Sequence, residues 1–147
     1  MSDSPALGFN HVALTVAPEL LCEPGRAQIV AFYAAVFGWT ELERLRVDGA
    51  CLVLQCQGAA VYLVGGSPIT ACAARDHFGY AVRTLQELEH VLERAAQHRQ
   101  RDARVEIVGH EVVEDSGVRV HNAYVRYRLP MWVEIQYFET RVPSPTG

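Results

Sequence analysis

The sequence predicts an α+β fold built from two βαβββ modules, about residues 8–66 and 75–139, whose curved mixed sheets enclose a cavity. Three observations predict it. The order strand, helix, three strands occurs twice along the chain. Each helix has one apolar stripe, and the flanking strands alternate with period two. A chain of 147 residues is also too short for two independent domains, so neither half is expected to bury its sheet alone.

The elements follow in order. Residues 9–16, FNHVALTV, alternate as a strand, and the turn formers APELLCEPG follow as a loop. Ile29, Phe32, Tyr33, Val36 and Phe37 fall on one helical stripe, closed by Gly38 at the C-cap position. Strands are expected at Thr40–Val47, Cys51–Gln55 and Ala59–Val64, with turns at Asp48-Gly49 and Gln57-Gly58. Gly65-Gly66-Ser67-Pro68 reads as the linker.

His77–Val82 opens the second module as a strand. Thr84 with Glu87 forms a capping box, and Leu85, Leu88, Val91, Leu92 and Ala95 form the second helical stripe. Strands Arg104–Val113, Val118–Leu129 and Trp132–Phe138 complete it, with turns at Asp115-Ser116-Gly117 and Pro130. Residues 140–147 read as a flexible tail of this single domain.

Half the residues are apolar, a fifth are charged, and the net charge is −4. That balance fits a soluble protein and disfavours nucleic acid as a partner. The basic group Arg94, Arg99, Arg101 and Arg104 reads as solvated surface. No apolar run approaches a membrane span, and Met1-Ser-Asp-Ser lacks a secretion-signal pattern, so a cytoplasmic location is expected. The four cysteines lack CxxC spacing. Reduced, buried thiols are expected, with a Cys22–Cys72 disulfide as the alternative.

Strand alternation separates the polar residues from the core. Val12, Leu14 and Val16 make a helix-facing side of the first strand, opposite His11, Ala13 and Thr15. Phe78, Tyr80 and Val82 do the same opposite His77, Gly79 and Ala81. In the last strand, Val133, Ile135 and Tyr137 oppose Trp132, Glu134, Gln136 and Phe138. His11 and His77 thus open equivalent strands, each followed by small residues that leave space. A mid-strand Glu134 is costly if buried without a partner. Two imidazoles and this carboxylate would resolve the cost by holding a divalent cation with open coordination positions. The donor set suits Fe(II), Zn(II), Ni(II), Co(II) and Mn(II). Taken singly, each residue also fits a hydrogen-bonded rim or core position.

FNHVALTV at 9–16, AFYAAVFGW at 31–39, DHFGYAV at 76–82 and WVEIQYF at 132–138 together resemble the vicinal oxygen chelate superfamily. That superfamily includes glyoxalase I, methylmalonyl-CoA epimerase, type I extradiol dioxygenases, fosfomycin-resistance transferases and bleomycin-resistance proteins. The resemblance spans essentially the whole chain. It implies paired βαβββ units around a metal, usually in a homodimer. His11, His77 and Glu134 match the ligand positions. Where several lyases and epimerases have a fourth ligand, AAVYLVGG places Tyr62. This departure leaves a three-ligand site resembling those of the dioxygenases and fosfomycin-resistance enzymes, of which a dioxygenase-like site is favoured, with Fe(II) as the first metal.

Other departures are the RLPMW turn before the last strand, a longer loop before the first helix, and no counterpart of the potassium- and phosphonate-binding set. Glu139 has the wrong parity to replace Glu134. Val125, Tyr127 and Leu129 form an apolar face, so Tyr124 and Arg126 point the other way, with Arg128 a further candidate for that face. By the resemblance, Tyr124 is the substrate-binding tyrosine of extradiol dioxygenases. Arg126 would contact a carboxylate or enolate, and His121 is a proton-transfer candidate. The alternative is a Tyr/Arg pair on a solvated rim.

The expected function is a metal-dependent enzyme acting on a small oxygenated substrate. Two alternatives stand beside it: glyoxalase- or epimerase-type lyase or isomerase chemistry, and a non-catalytic drug-binding protein with an aromatic cleft from Trp39, Trp132 and Phe138.

Overall fold

A computed structural model of the protein describes residues 8–140. The chain divides after Thr70 into two compact units. In the first, β1 (His11–Val16) leads through a 3₁₀ turn (Pro18–Leu21) to α1 (Gly25–Phe37). There follow β2 (Thr40–Glu41), a second 3₁₀ turn (Glu43–Leu45), β3 (Cys51–Cys56) and β4 (Ala59–Gly65). The sheet order is β1-β4-β3-β2, with β1 parallel to β4 and the other pairs antiparallel.

In the second unit, β5 (His77–Ala81), α2 (Leu85–Arg101), β6 (Val105–Asp115), β7 (Val118–Tyr127) and β8 (Trp132–Thr140) give the order β5-β8-β7-β6. Here β5 is parallel to β8, and β8, β7 and β6 are antiparallel. The βαβββ order therefore occurs twice, in an α+β fold of two four-stranded mixed sheets. The tail expected at 140–147 lies outside the described residues apart from Thr140, which ends β8.

Each core forms where a helical stripe meets the apolar side of its sheet. Ile29, Phe32 and Val36 are buried in the first unit with Leu14, Val16, Leu52, Leu54, Val61 and Leu63. In the second, Leu88, Val91 and Ala95 are buried with Val105, Val125, Val133 and Ile135. Complete burial of each such aliphatic side chain is worth roughly 1.5–3 kcal/mol. Gly38 closes α1 at φ 72°, the left-handed cap that glycine adopts without strain. Thr84 Oγ1 accepts the Glu87 amide at 3.1 Å, and the Glu87 carboxylate accepts the Arg83 amide at 2.8 Å. At the other end, Asp102 takes bonds from Arg104 and the Tyr127 hydroxyl, which hold its carboxyl well below the usual range.

Three local expectations are corrected. The strand expected over Thr40–Val47 stops at Glu41, and only Val47 bridges back, to Cys51. At this point Arg26, 1% exposed, pairs its guanidinium with Glu41 and donates to the Cys51 carbonyl at 3.0 Å. Beyond it the chain enters the 3₁₀ turn Glu43–Leu45, and Arg46 bonds Asp48 at 3.0 Å. The loop of turn formers contains a 3₁₀ turn that buries Leu21. All four cysteines are free, as expected for reduced thiols, yet only Cys56 is buried. Cys22 is exposed because it follows the 3₁₀ turn, where its thiol reaches the Pro18 carbonyl. Arg94, Arg99, Arg101 and Arg104 are exposed. No helix among the described residues is long and apolar enough to cross a membrane.

Candidate metal centre

In the second unit, parallel pairing of β5 with β8 and antiparallel pairing of β8 with β7 set three side chains on one face. Gly79 lies opposite Glu134, which in turn lies opposite Tyr124. His77 Nε2 comes within 3.2 Å of Glu134 Oε2, and the His77 and Tyr124 rings meet edge-on at 5.6 Å. Glu134 is 6% exposed. A Cβ at position 79 would sit 3.1 Å from Glu134 Oε2, so the small residue makes room for the carboxylate. Tyr124 hydrogen-bonds Glu134; burial, and then this bond, push its phenol up to about 12. It is therefore a neutral donor.

The tautomer of His77 is fixed by its other nitrogen. Nδ1 lies 2.7 Å from the Arg75 carbonyl oxygen, which only accepts, so Nδ1 carries the proton in the neutral ring. The Nε2 lone pair then faces a carboxylate oxygen. Two acceptors at 3.2 Å require a proton or a cation between them. A second hydrogen bond that orients the ring is what a metal-binding histidine needs. The imidazole nitrogen and the carboxylate fit a divalent metal in their chemistry.

In the first unit, His11 shows the same device. Its Nδ1 lies 2.7 Å from Asn10 Oδ1, leaving Nε2 as the lone-pair nitrogen. Tyr62 lies beside it, with ring centroids 5.1 Å apart. Among the described residues, no three or more His, Cys, Asp or Glu side chains are gathered into a metal cluster. The expected ligands are divided, His11 in one unit and His77 with Glu134 in the other.

The remaining candidates separate. Arg126 shares the face of Tyr124 but is already engaged. Its Nε and Nη2 donate to Glu106 at 2.7 and 2.8 Å, and its guanidinium lies 4.4 Å over the Trp132 ring. Glu106, opposite Arg126 on β6, was not singled out from the sequence. Neither was the amide pair directly beyond Tyr124 and Glu134, where Gln136 Nε2 donates to Asn122 Oδ1 at 3.0 Å. Alternation alone places both on this face.

His121 lies on the other face. It pairs with Tyr137, and its ring bonds His110 and Glu139, so it does not join Tyr124 and Glu134. Trp39 is also removed from any aromatic cleft. It is 5% exposed and stacks on Tyr33 and Phe37 in the first core.

No protein-family model matches the chain. No curated protein matches it in sequence. Solved structures do match in fold. A glyoxalase/bleomycin resistance protein/dioxygenase family enzyme from Burkholderia phytofirmans is 14% identical at TM-score 0.62, covering 87% of this chain and 96% of that one. A genomically encoded fosfomycin resistance protein from Listeria monocytogenes is 14% identical at TM-score 0.60, with 89% and 93% covered. A lactoylglutathione lyase from Agrobacterium tumefaciens is 17% identical at TM-score 0.57, with 90% and 95% covered. With its two βαβββ units, the chain has the fold of the vicinal oxygen chelate superfamily.

Proposed function

We propose that this protein is a metal-dependent enzyme acting on a small oxygenated molecule, with dioxygenase-type chemistry favoured over lyase, isomerase or epimerase chemistry. The observation that carries the reading is the His77–Glu134 contact, a lone-pair nitrogen and a buried carboxylate oxygen 3.2 Å apart. His77, Glu134 and His11 would hold the divalent ion, Fe(II) first, with Zn(II), Ni(II), Co(II) or Mn(II) also compatible with the N,N,O donor set. Tyr62 beside His11, in place of a carboxylate or amide, supports a three-ligand site. The protein is proposed to work as a cytoplasmic homodimer. Four free cysteines fit a reducing compartment.

The bound ion would act as a Lewis acid toward adjacent substrate oxygens. The chain's own groups do the rest. Tyr124 offers a neutral hydroxyl to a substrate oxygen once Glu134 is engaged elsewhere. Arg126, clamped by Glu106 over Trp132, fixes one end of the face. Removal of Trp39 from the surface weakens the drug-binding alternative.

Anaerobic reconstitution followed by metal analysis tests the reading. Wild-type protein should retain about one ion per chain, whereas His11→Ala, His77→Ala and Glu134→Gln should retain far less. Oxygen uptake with a panel of catechols then separates dioxygenase from lyase chemistry. Undiminished metal in all three variants would exclude the site.

A further inference from the structure

One row along the strands from Tyr124 and Glu134, the same face of the second sheet carries an amide pair. Asn122 on β7 lies opposite Gln136 on β8. Gln136 Nε2 donates to Asn122 Oδ1 at 3.0 Å. A closed pair of amides would also return a bond from Asn122 Nδ2 to Gln136 Oε1, but only the first is made. Asn122 is 9% exposed, and its Nδ2 and the Gln136 Oε1 have no other partner among the described residues. Both atoms still reach solvent. A nearly buried amide with an unused donor is costly unless something on the face accepts from it.

The neighbours leave room and set the polarity. Ala81 lies opposite Gln136 and continues the run of small side chains begun by Gly79 opposite Glu134. On the other side, the register of β6 with β7 shifts between Gly109 and Glu111, a β-bulge, after which Glu111 lies opposite Asn122. One row further, Val113, Val120 and Phe138 are register partners, and Val113 and Phe138 are half-exposed. The amide pair is thus a polar spot between the candidate metal centre and an apolar row. Ligand sites are oriented by a few such groups in apolar surroundings.

Hydrogen-bond chemistry selects the group this spot takes. The pair presents one donor, Asn122 Nδ2, and one acceptor, Gln136 Oε1. Rotating both side-chain amides by half a turn exchanges their roles but again leaves one of each. A carboxylate only accepts, and Gln136 Oε1 and Glu111 would repel it. An ammonium only donates, and Asn122 Nδ2 would be left without an acceptor. A carboxamide or lactam satisfies both, its carbonyl accepting from Asn122 and its N–H donating to Gln136. Two residues along β8 separate Gln136 from Glu134, about 6.6 Å.

We propose that Asn122 and Gln136 are specificity-determining residues that read a carboxamide or lactam edge of the substrate, about one such interval from the oxygens held at the metal centre. For that other end of the substrate, the inference rests on the proposed metal centre.

The first test uses the full chain without metal and benzamide as the probe, followed by heteronuclear NMR. Benzamide should shift the side-chain NH2 resonances of Asn122 and Gln136. Benzoate and acetophenone, which each lack the N–H donor, should bind at least tenfold more weakly. Gln136→Glu turns the pair into two acceptors, because the new carboxylate takes the Asn122 donor and leaves Asn122 Oδ1 free. Its preference should move at least tenfold from benzamide toward benzamidine, an exchange that a merely structural pair would not show. Gln136→Met, at the half-buried member of the pair, should weaken benzamide binding to a similar extent. Equal affinity of the wild type for benzamide, benzoate and acetophenone would overturn the proposal, as would an unchanged preference in Gln136→Glu. With Fe(II) restored, protocatechuamide, a catechol bearing a carboxamide, should bind at least tenfold more tightly than catechol. Metal retained without that margin refutes the amide-reading pair. Benzamide shifts at Asn122 and Gln136 in a chain that retains no metal support the pair and refute the metal centre instead.

Discussion

The largest buried charge in the first unit is Arg26, and the buried acid of the second is Glu134. The two are similarly hidden, at 1% and 6% exposure, but their surroundings differ. Arg26 is surrounded by acceptors: the Glu41 carboxylate and the carbonyls of Leu21 and Cys51. Glu134 has a phenol donor and, at 3.2 Å, an imidazole nitrogen that is an acceptor when neutral. A buried ion with matched partners maintains the fold, whereas one facing another acceptor is prepared for a visitor. The repeated plan therefore carries an ion with matched partners in one unit and, in the other, the acid proposed to hold a metal.

This contrast can be broken most severely at Arg26. Arg26→Ala strips Glu41 of its partner and should cost about 3–5 kcal/mol in denaturant unfolding. Glu134→Gln should change stability far less while lowering metal retention sharply. Equal destabilisation by both variants would erase the distinction between the two ions. Gly79→Ala sharpens it further, because the new methyl group would crowd Glu134 Oε2 from 3.1 Å. Metal affinity should fall about tenfold with the unfolding midpoint nearly unchanged.

The smallest effect belongs to Asp102. Its folded-state pKa is depressed by bonds from Arg104 and Tyr127, so its contribution is complete above the unfolded value of about 3.9. That contribution is lost as pH falls from there through the folded value. The stability gap between wild type and Asp102→Asn should therefore be constant above about pH 5 and close below pH 4, as thermal melts can follow.

Much of the candidate site in the second unit was legible because strands alternate. Tyr124 and Glu134 carry the parity of a common face, and the structure pairs them directly. Glu106 and His110 were not legible. Counting back from the turn at Ser116-Gly117 pairs Asp115 with Val118 and Glu111 with Asn122. Continued unbroken, that count would set Ile107 opposite Arg126. The bulge at His110 shifts the count by one and brings Glu106 there instead. A single extra residue thus creates the Arg126 clamp and delivers His110 to His121. Hydrophobic pattern encodes which face a residue takes, but it does not mark where a partner strand slips.

Arg26 was hidden for a different reason. At the start of α1 a basic residue reads as surface, and nothing local signals that Glu41 will fold back onto it. Trp39 likewise resembled a cleft residue until its stacking on Tyr33 placed it in the core.

Strand β8 carries Glu134 toward one face and Glu139 toward the other. Their separation in sequence is odd, so opposite orientation is a property of the strand's length between them. Insertion or deletion of one residue in that interval would invert one carboxylate relative to the other and set both on the same side. Point substitutions can tune either acid alone, but length changes act on the pair. The interval from Glu134 to Glu139 should tolerate variation in chemistry and resist variation in length.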